Sequence, residues 1–277
     1  MSVAIATKPK ALSPDILAKQ FHKDGFILIP DVLNTDEVTQ LRSFALEQFS
    51  KPPAEQFKSD TENVLFDFYN RYPHLRWLLF KEPTLSVLRK ILKNNIAISR
   101  ENAIQKGYYA RWHKDTSPQE RGGYYFQWQP DYLMVQVAYY MQDNDPRQGG
   151  GLDVEPGSHR QRFDPFLRRE RPTKFQKLID KYLPLGEPIK KPHTIMGKAG
   201  DAVIFHFRMN HRATPNISGD SNIPTKIAYM QNFSLNNRYV ADYANFMVTV
   251  PDYAHLKTFA WDPDLVSQAE KMGLFMG

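Results

Sequence analysis

Residues 200–216 read Gly-Asp-Ala-Val-Ile-Phe-His-Phe-Arg-Met-Asn-His-Arg-Ala-Thr-Pro-Asn. The first two residues are a turn signal, and the apolar run from Ala202 to Phe205 has the composition of a short buried strand. His211 follows soon after this run ends. The stretch therefore predicts a late strand that carries a histidine near its end.

A second motif, His113-Lys114-Asp115, lies far upstream and also follows a strand-like run. Residues i and i+2 of a strand point to the same face, so the imidazole and the carboxylate are presented together while Lys114 points away. Two histidines and one carboxylate on neighbouring strands form the facial triad of non-haem iron sites. Such a triad leaves three iron positions open, as a bidentate oxo-acid and O₂ require.

Other strand and helix signals surround these two motifs. Predicted helices start at the Ser13 and Asn34 caps and continue at 75–80, 83–92 and 262–272. Predicted strands cover 26–29, 96–104, 107–113, 132–142, 152–155, 202–205, 226–233 and 247–250. Many short strands separated by Gly and Pro turns indicate a mainly β sandwich or barrel with flanking α-helices.

The composition restricts the chemistry that the chain can perform. The 277 residues include no cysteine, which excludes a thiol nucleophile, an iron–sulfur cluster and Cys-ligated zinc. A metal must therefore be held by His, Asp and Glu. No apolar run reaches the ~18 residues of a membrane span, and the N-terminal apolar stretch is too short for a secretory signal, so we expect a cytoplasmic protein.

Positive charge is concentrated in one segment. Residues 160–193 contain ten Lys or Arg against four Asp or Glu, an excess equal to the +6 of the whole chain. Such a basic segment can bind nucleic acid, but more often it is a solvent-exposed insertion. We favour the insertion, and we hypothesise that residues 160–191 form part of a lid or rim that favours an anionic substrate or partner.

Three separated motifs carry a resemblance to a known family. They are Trp112-His113-Lys114-Asp115, the run from Gly149 to His159, and the stretch 200–216. In this order they resemble the phytanoyl-CoA dioxygenase family of iron(II)/2-oxoglutarate oxygenases. The resemblance implies a cupin-like double-stranded β-helix, or jelly roll. It implies one oxygenase domain with a frayed start (1–12), a helical flank (13–95), a jelly-roll core (96–250) holding the insertion 160–193, and a C-terminal helix (251–277).

The resemblance also implies site residues and cofactors. It implies that iron(II) is bound by His113, Asp115 and His211. The spacing to Asn216 in the family's motif selects His211 rather than His206 as the third ligand. The basic residue that pairs with the distal carboxylate of 2-oxoglutarate falls at Lys226, where the family usually has arginine; Arg212 and Arg208 are alternatives. Lysine offers a point charge where arginine offers a bidentate fork.

Aromatic and polar residues near the first two ligands are candidates for substrate binding. Candidate substrate residues are Arg111, Tyr109, Trp128 and Gln136, although inward aromatics can equally be core packing. Strand alternation predicts that Arg111 points inward, where it needs an acidic partner such as Asp153, Glu155 or the substrate.

The expected function is oxidation of a small polar or anionic metabolite, by hydroxylation, desaturation or C–N cleavage, in specialised metabolism. O₂ is the co-substrate, and 2-oxoglutarate becomes succinate and CO₂. The retained Asp115 argues against halogenation, because halogenating relatives vacate that iron position for chloride. Alternatives are a zinc hydrolase on the same ligands and a non-catalytic binding protein that uses the basic patch. We expect a small-molecule partner rather than nucleic acid or a membrane.

Overall fold

The N-terminal segment folds as helix, strand, helix, as its capping residues predict. In the computed structural model, which describes residues 12–52, 63–107, 111–161 and 191–277, α1 spans Pro14–Asp24, β1 Phe26–Ile29 and α2 Thr35–Phe49. The Ser13 side chain accepts from Ile16 N–H, and Gly25 ends α1 in the left-handed region at φ 86°. Asn34 and Glu37 form a reciprocal capping box.

A helical layer continues from there to the main sheet. It contains β2 (Val64–Phe66), α3 (Phe68–Arg71), a 3₁₀ helix (Pro73–Phe80) and α4 (Glu82–Ile91). Leu85, Leu88 and Ile91 of α4 are fully buried, because their spacing places them on one face of the helix. This layer covers one face of the main sheet.

The main sheet has the order β1-β7-β4-β9-β3-β10, and β2 pairs with β3 at one end. Its further strands are β3 (Ile96–Lys106), β4 (Met134–Tyr140), β7 (Ala202–His206), β9 (Ile227–Ser234) and β10 (Leu274–Met276). All pairings are antiparallel except β10 with β3. Every residue of β4 is buried, so both faces of the sheet are covered.

A smaller sheet closes the other side of the sandwich. It has the order β6-β5-β8, with β5 at Leu152–Val154, β6 at His193–Thr194 and β8 at His211–Ala213. One buried cluster fills the space between the sheets, with Ala138, Tyr140, Val203 and Phe205 from the main sheet and Val154 from the small one. Alternation then places Gln136 of β4, as well as Met230 and Asn232 of β9, on this interior face.

Helices at the C-terminal end pack beside the mouth of the sandwich. The remaining helices are α5 (Ser117–Arg121), α6 (Asn237–Met247) and α7 (Pro263–Lys271). Three short 3₁₀ segments complete the described fold: Phe126–Trp128, Ser158–Arg160 and Pro251–Lys257. Tyr239, Tyr243 and Phe246 of α6 form a cluster with Tyr132 and Phe207. No helix among the described residues is long and apolar enough to cross a membrane.

The predicted fold class is confirmed, and two predicted strands are wrong. Residues 247–250 belong to the end of α6 and the turn after it, because buried residues recur at helical spacing from Tyr239 to Met247. The described part of the predicted strand 107–113 is not a strand: β3 ends before Gly107, which has φ 71°, residues 111 and 112 belong to no strand, and His113 makes an isolated bridge. Helix α6 and the short strands β2, β6, β8 and β10 were not predicted from the sequence.

Candidate metal centre

The backbone fixes the two predicted histidine ligands against each other. His113 N–H donates to His211 C=O and His211 N–H donates to His113 C=O, both at 2.9 Å. The ring centroids are 4.3 Å apart. On its other edge β8 pairs with β5, with His211 opposite Val154. The small sheet therefore holds both imidazoles at the mouth of the sandwich.

Each histidine ring is oriented by a carbonyl group two residues earlier in the chain. His113 Nδ1 lies 2.8 Å from Arg111 O, and His211 Nδ1 lies 3.0 Å from Met209 O. Because a carbonyl oxygen only accepts, the proton is on Nδ1 in each ring, and the lone pair is on Nε2. This is the tautomer and orientation that metal-binding histidines usually have.

Asp115 completes the cluster. Its Oδ1 atom lies 3.7 Å from the Nε2 atoms of both His113 and His211, too far for a hydrogen bond with either. Asp115 Oδ2 is buried and has no hydrogen-bond partner among the described residues. Burial raises the pKa of Asp115 to about 6 and lowers that of His211 to about 4. The side chain of Lys114 points away and donates to Ser158 O and Gln161 O, as predicted.

These three side chains suit a divalent transition metal. Within the described ranges they form the one group of three or more His, Asp or Glu residues whose ligand atoms lie within 4.8 Å of one another. Two imidazole nitrogens and a carboxylate oxygen are the donor set of the facial triad. The unpaired Oδ2 atom and the two inward Nε2 lone pairs are the features that such an ion would satisfy.

Lys226 lies just before β9, two residues from the interior residue Ala228. Its ammonium donates to Gln148 O at 2.7 Å, and burial lowers its pKa. Gly149 leaves room for this ammonium, since a Cβ there would lie 2.2 Å from Lys226 Nζ. Lys226 is thus a positioned cation at one end of the interior face.

Arg212, the predicted alternative to Lys226, has a different environment. Its Nε donates to Asp153 Oδ2 at 3.0 Å, and its guanidinium lies 4.9 Å from the centre of the Trp112 ring. Asp153 is directly opposite Arg212 in the β5–β8 register. Since neighbouring residues of a strand face opposite sides, Arg212 points away from the face that carries His211. This placement favours Lys226 over Arg212.

The predicted substrate residues are not all brought together. Arg111 is exposed, so the expectation that it points inward is wrong; neither Arg111 nor Trp112 belongs to a strand. Neither predicted acidic partner is paired with it, because Asp153 accepts from Arg212 and Glu155 accepts from Asn210. Tyr109 lies outside the described residues, as does most of the basic insertion 160–193.

Gln136 lies in a buried polar chain whose other members were not predicted. Its amide donates to Asn232 Oδ1 at 3.1 Å, Asn232 donates to Glu101 Oε2, and Tyr243 OH donates to the same oxygen at 2.6 Å. Burial, with a smaller contribution from the charge on Asp115, raises the pKa of Glu101 to about 7. This buried polar chain therefore lies near the metal ligands. Only tertiary structure joins its three strands and α6, so no local sequence signal could have found Glu101.

His206 and His159 are close to the cluster without belonging to it. His206 Nδ1 accepts from Arg208 N–H at 3.0 Å, which agrees with its interpretation as a strand-end histidine satisfied by a hydrogen bond. His159 packs 5.4 Å from the His206 ring centre. Burial lowers the pKa of His159 to about 4 and that of His206 well below its usual range. Both rings are neutral at pH 7.

A two-sheet jelly roll with a His-Asp-His cluster at its mouth is the framework of a non-haem iron, 2-oxoglutarate-dependent oxygenase. The sequence profile of the phytanoyl-CoA dioxygenase family matches residues 21–222. The chain belongs to this family. No curated protein matches the chain by sequence.

Solved structures support the fold. The non-heme alpha ketoglutarate dependent epimerase SnoN from nogalamycin biosynthesis is 14% identical, with a TM-score of 0.56 over 80% of this chain and 82% of SnoN. EctD from S. alaskensis, solved with 2-oxoglutarate and 5-hydroxyectoine, is 21% identical, with a TM-score of 0.57 over 84% and 81%. HygX from Streptomyces hygroscopicus, with nickel and 2-oxoglutarate bound, is 16% identical, with a TM-score of 0.55 over 81% and 87%.

Proposed function

We propose that this chain oxidises a small polar or anionic metabolite, with iron(II) held by His113, Asp115 and His211. The observation that carries the proposal is the geometry of the two imidazoles. Their Nδ1 atoms are satisfied by main-chain carbonyls, and their Nε2 atoms both face one carboxylate oxygen at 3.7 Å. When bound, iron and 2-oxoglutarate supply an oxidation that consumes O₂ and yields succinate, CO₂ and an oxidised substrate.

The residues of the chain contribute ligation and orientation. The paired backbones of His113 and His211 fix the distance between the rings, and the carbonyls of Arg111 and Met209 fix the ring planes. Asp115 is buried and supplies the charge that offsets part of a divalent cation's charge. With the carboxylate retained, hydroxylation, desaturation or C–N cleavage is favoured over halogenation.

Lys226 is the residue that we assign to the distal carboxylate of 2-oxoglutarate. Its ammonium is partly buried and is tied to Gln148 O, so a carboxylate reaching it meets a positioned and weakly screened cation. Arg212 is occupied by Asp153 on the other face of β8. On this assignment, a lysine that offers a point charge stands where the family usually has an arginine that offers a bidentate fork.

A substrate screen with mass spectrometry tests the proposal. The iron(II)-loaded protein is incubated with 2-oxoglutarate, O₂ and single small metabolites, and succinate and oxidised product are measured together. We expect one metabolite class to raise succinate formation in step with its own oxidation. If the iron(II)-loaded protein never converts 2-oxoglutarate, with or without any metabolite, the proposed oxygenase function is wrong. The alternative to test would then be a zinc-dependent hydrolase that uses the same three ligands.

A further inference from the structure

Arg208 is a guanidinium beside the metal centre that the proposed reaction does not yet use. It lies in the turn between β7 and β8, three residues before the ligand His211. Its Cζ is 5.3 Å from the centre of the Trp128 ring and 5.8 Å from the centre of the Tyr132 ring. Two aromatic rings therefore hold the guanidinium in place by packing and by cation–π attraction.

This guanidinium has no counter-ion among the residues that the structure describes. Its one side-chain hydrogen bond there runs from Nη1 to Gln127 O at 3.2 Å, and its Nε is buried without an acceptor. The groups around it, His159 and His206, are bases rather than acids. Arginine stays protonated in proteins, so a partly buried positive charge is left uncompensated.

Further unpaired polar atoms lie on the segment that packs against Arg208. The buried Tyr132 OH and Gln127 Oε1, on the two residues that Arg208 contacts directly, have no partner among the described residues. Tyr132 interacts electrostatically with both Arg208 and the ligand Asp115, so this group extends from the guanidinium towards the metal centre. Buried polar groups are normally satisfied, which points to a bound polar molecule at this place.

Arg208, in the turn after β7, and Lys226, just before β9, lie beside opposite ends of β4. Phe207 N–H donates to Met134 O at the start of β4, whereas Ile227 O accepts from Met141 N–H just beyond its end. The seven residue steps from Met134 to Met141 separate the two backbone positions by roughly 24 Å, at about 3.4 Å per residue. One small dicarboxylate such as 2-oxoglutarate cannot reach both cations.

We propose that Arg208, clamped between Trp128 and Tyr132, binds an anionic group of the substrate, a carboxylate, phosphate or sulfonate, beside the metal centre. A planar guanidinium offers such a group two parallel N–H donors. The inference rests on the proposed function and deepens it, because it names the substrate class and a residue that selects it. Lys226 keeps the carboxylate of 2-oxoglutarate.

Binding of matched probes to the anaerobic protein, loaded with iron(II) and saturating 2-oxoglutarate, tests this assignment. The probes are 3-phenylpropionate and phenylphosphonate, with 3-phenylpropionamide as the neutral analogue and 3-phenylpropylammonium as the cation. Calorimetry measures their affinity for the wild type, Arg208→Gln and Arg208→Lys. Arg238→Gln is the control, since it removes the same charge from an exposed helix position. Melting temperatures verify that each variant folds.

We expect the anionic probes to bind at least tenfold more tightly than the amide and the ammonium, since a charge-assisted hydrogen bond contributes about that much. Arg208→Gln should remove this preference, Arg208→Lys should keep part of it, and Arg238→Gln should keep all of it. A wild type without a preference for anions, or a preference that survives Arg208→Gln, would overturn the inference. Failure to form the iron–2-oxoglutarate charge-transfer band would instead contradict the proposed function.

Discussion

Replacing Lys226 by methionine removes the cation that we assign to 2-oxoglutarate and keeps most of the side-chain volume. The ammonium is partly buried and held at 2.7 Å by Gln148 O, so its interaction with a carboxylate is weakly screened. A hydrogen bond to a charged group contributes about 1.5–3 kcal/mol. At 1.4 kcal/mol per factor of ten, Lys226→Met should weaken 2-oxoglutarate binding by about 10- to 150-fold.

Anaerobic titration measures this loss directly. 2-Oxoglutarate is added to iron(II)-loaded protein, and the visible charge-transfer absorption gives the dissociation constant. The band of Lys226→Met should still form at saturation, because the chelating end of 2-oxoglutarate does not depend on Lys226. The control is Arg212→Gln, which removes a cation from the other face of β8 and should leave the dissociation constant within twofold.

An unchanged dissociation constant in Lys226→Met would refute the assignment. If Arg212→Gln weakened binding and Lys226→Met did not, the alignment of the family's basic residue with Lys226 would be wrong. A loss in both variants would mean that the ion pair between Arg212 and Asp153 shapes the pocket at a distance.

Three more predictions follow from other parts of the site. Gly149→Ala should weaken 2-oxoglutarate binding and lower the melting temperature, because φ is 75° and a Cβ would lie 2.2 Å from both Lys226 Nζ and Thr214 O; the same titration and a melting curve check both effects. Nickel(II) at about 100 times its dissociation constant should stabilise the fold by about 2.7 kcal/mol, and His211→Ala should abolish the gain in urea unfolding. Burial lowers the pKa of His159 to about 4 in the folded protein, whereas a histidine in the unfolded chain has a pKa near 6.5. Between these two values the unfolded chain binds more protons than the folded one. The free energy of unfolding therefore falls as the pH drops from 6.5 towards 4. Between pH 7.5 and 5, His159→Gln should lose about 2 kcal/mol less unfolding free energy than the wild type, and equal losses would contradict this account.

The three ligands could be predicted because the motif at 113–115 and the stretch around His211 resemble, in the same order, those of a known family. The i, i+2 spacing of His113 and Asp115 singled out this pair, and Lys114 does point away from them, although Lys114 and Asp115 lie outside any strand. His211 is tied to the strand signal before it, which the structure confirms as β7. What the sequence could not give is the bridge between His113 and His211, which needs the two sheets to be closed.

The substrate side could not be predicted, since it depends on contacts between distant segments. Arg111 was expected inside because a strand was expected, but Arg111 is exposed and belongs to no strand, so alternation does not apply to it. Glu101 belongs to the buried polar chain only because Asn232 and Tyr243 donate hydrogen bonds to it. Tyr243 lies on α6, a helix that was not predicted from the sequence. Arg212 pairs with Asp153 only because β5 and β8 are neighbours.

The central claim is that His113, Asp115 and His211 together hold the iron at which 2-oxoglutarate is consumed. The most direct measurement is O₂-dependent succinate formation by the iron(II)-loaded protein and by the variants His113→Ala, Asp115→Ala and His211→Ala, with circular dichroism to verify folding. We expect each variant to keep the fold and to lose succinate formation by about a hundredfold or more, because even the loss of a residue that only supports a metal ligand typically costs about 10- to 100-fold in metal affinity or activity. Wild-type succinate formation in any one of the three folded variants would contradict the ligand assignment.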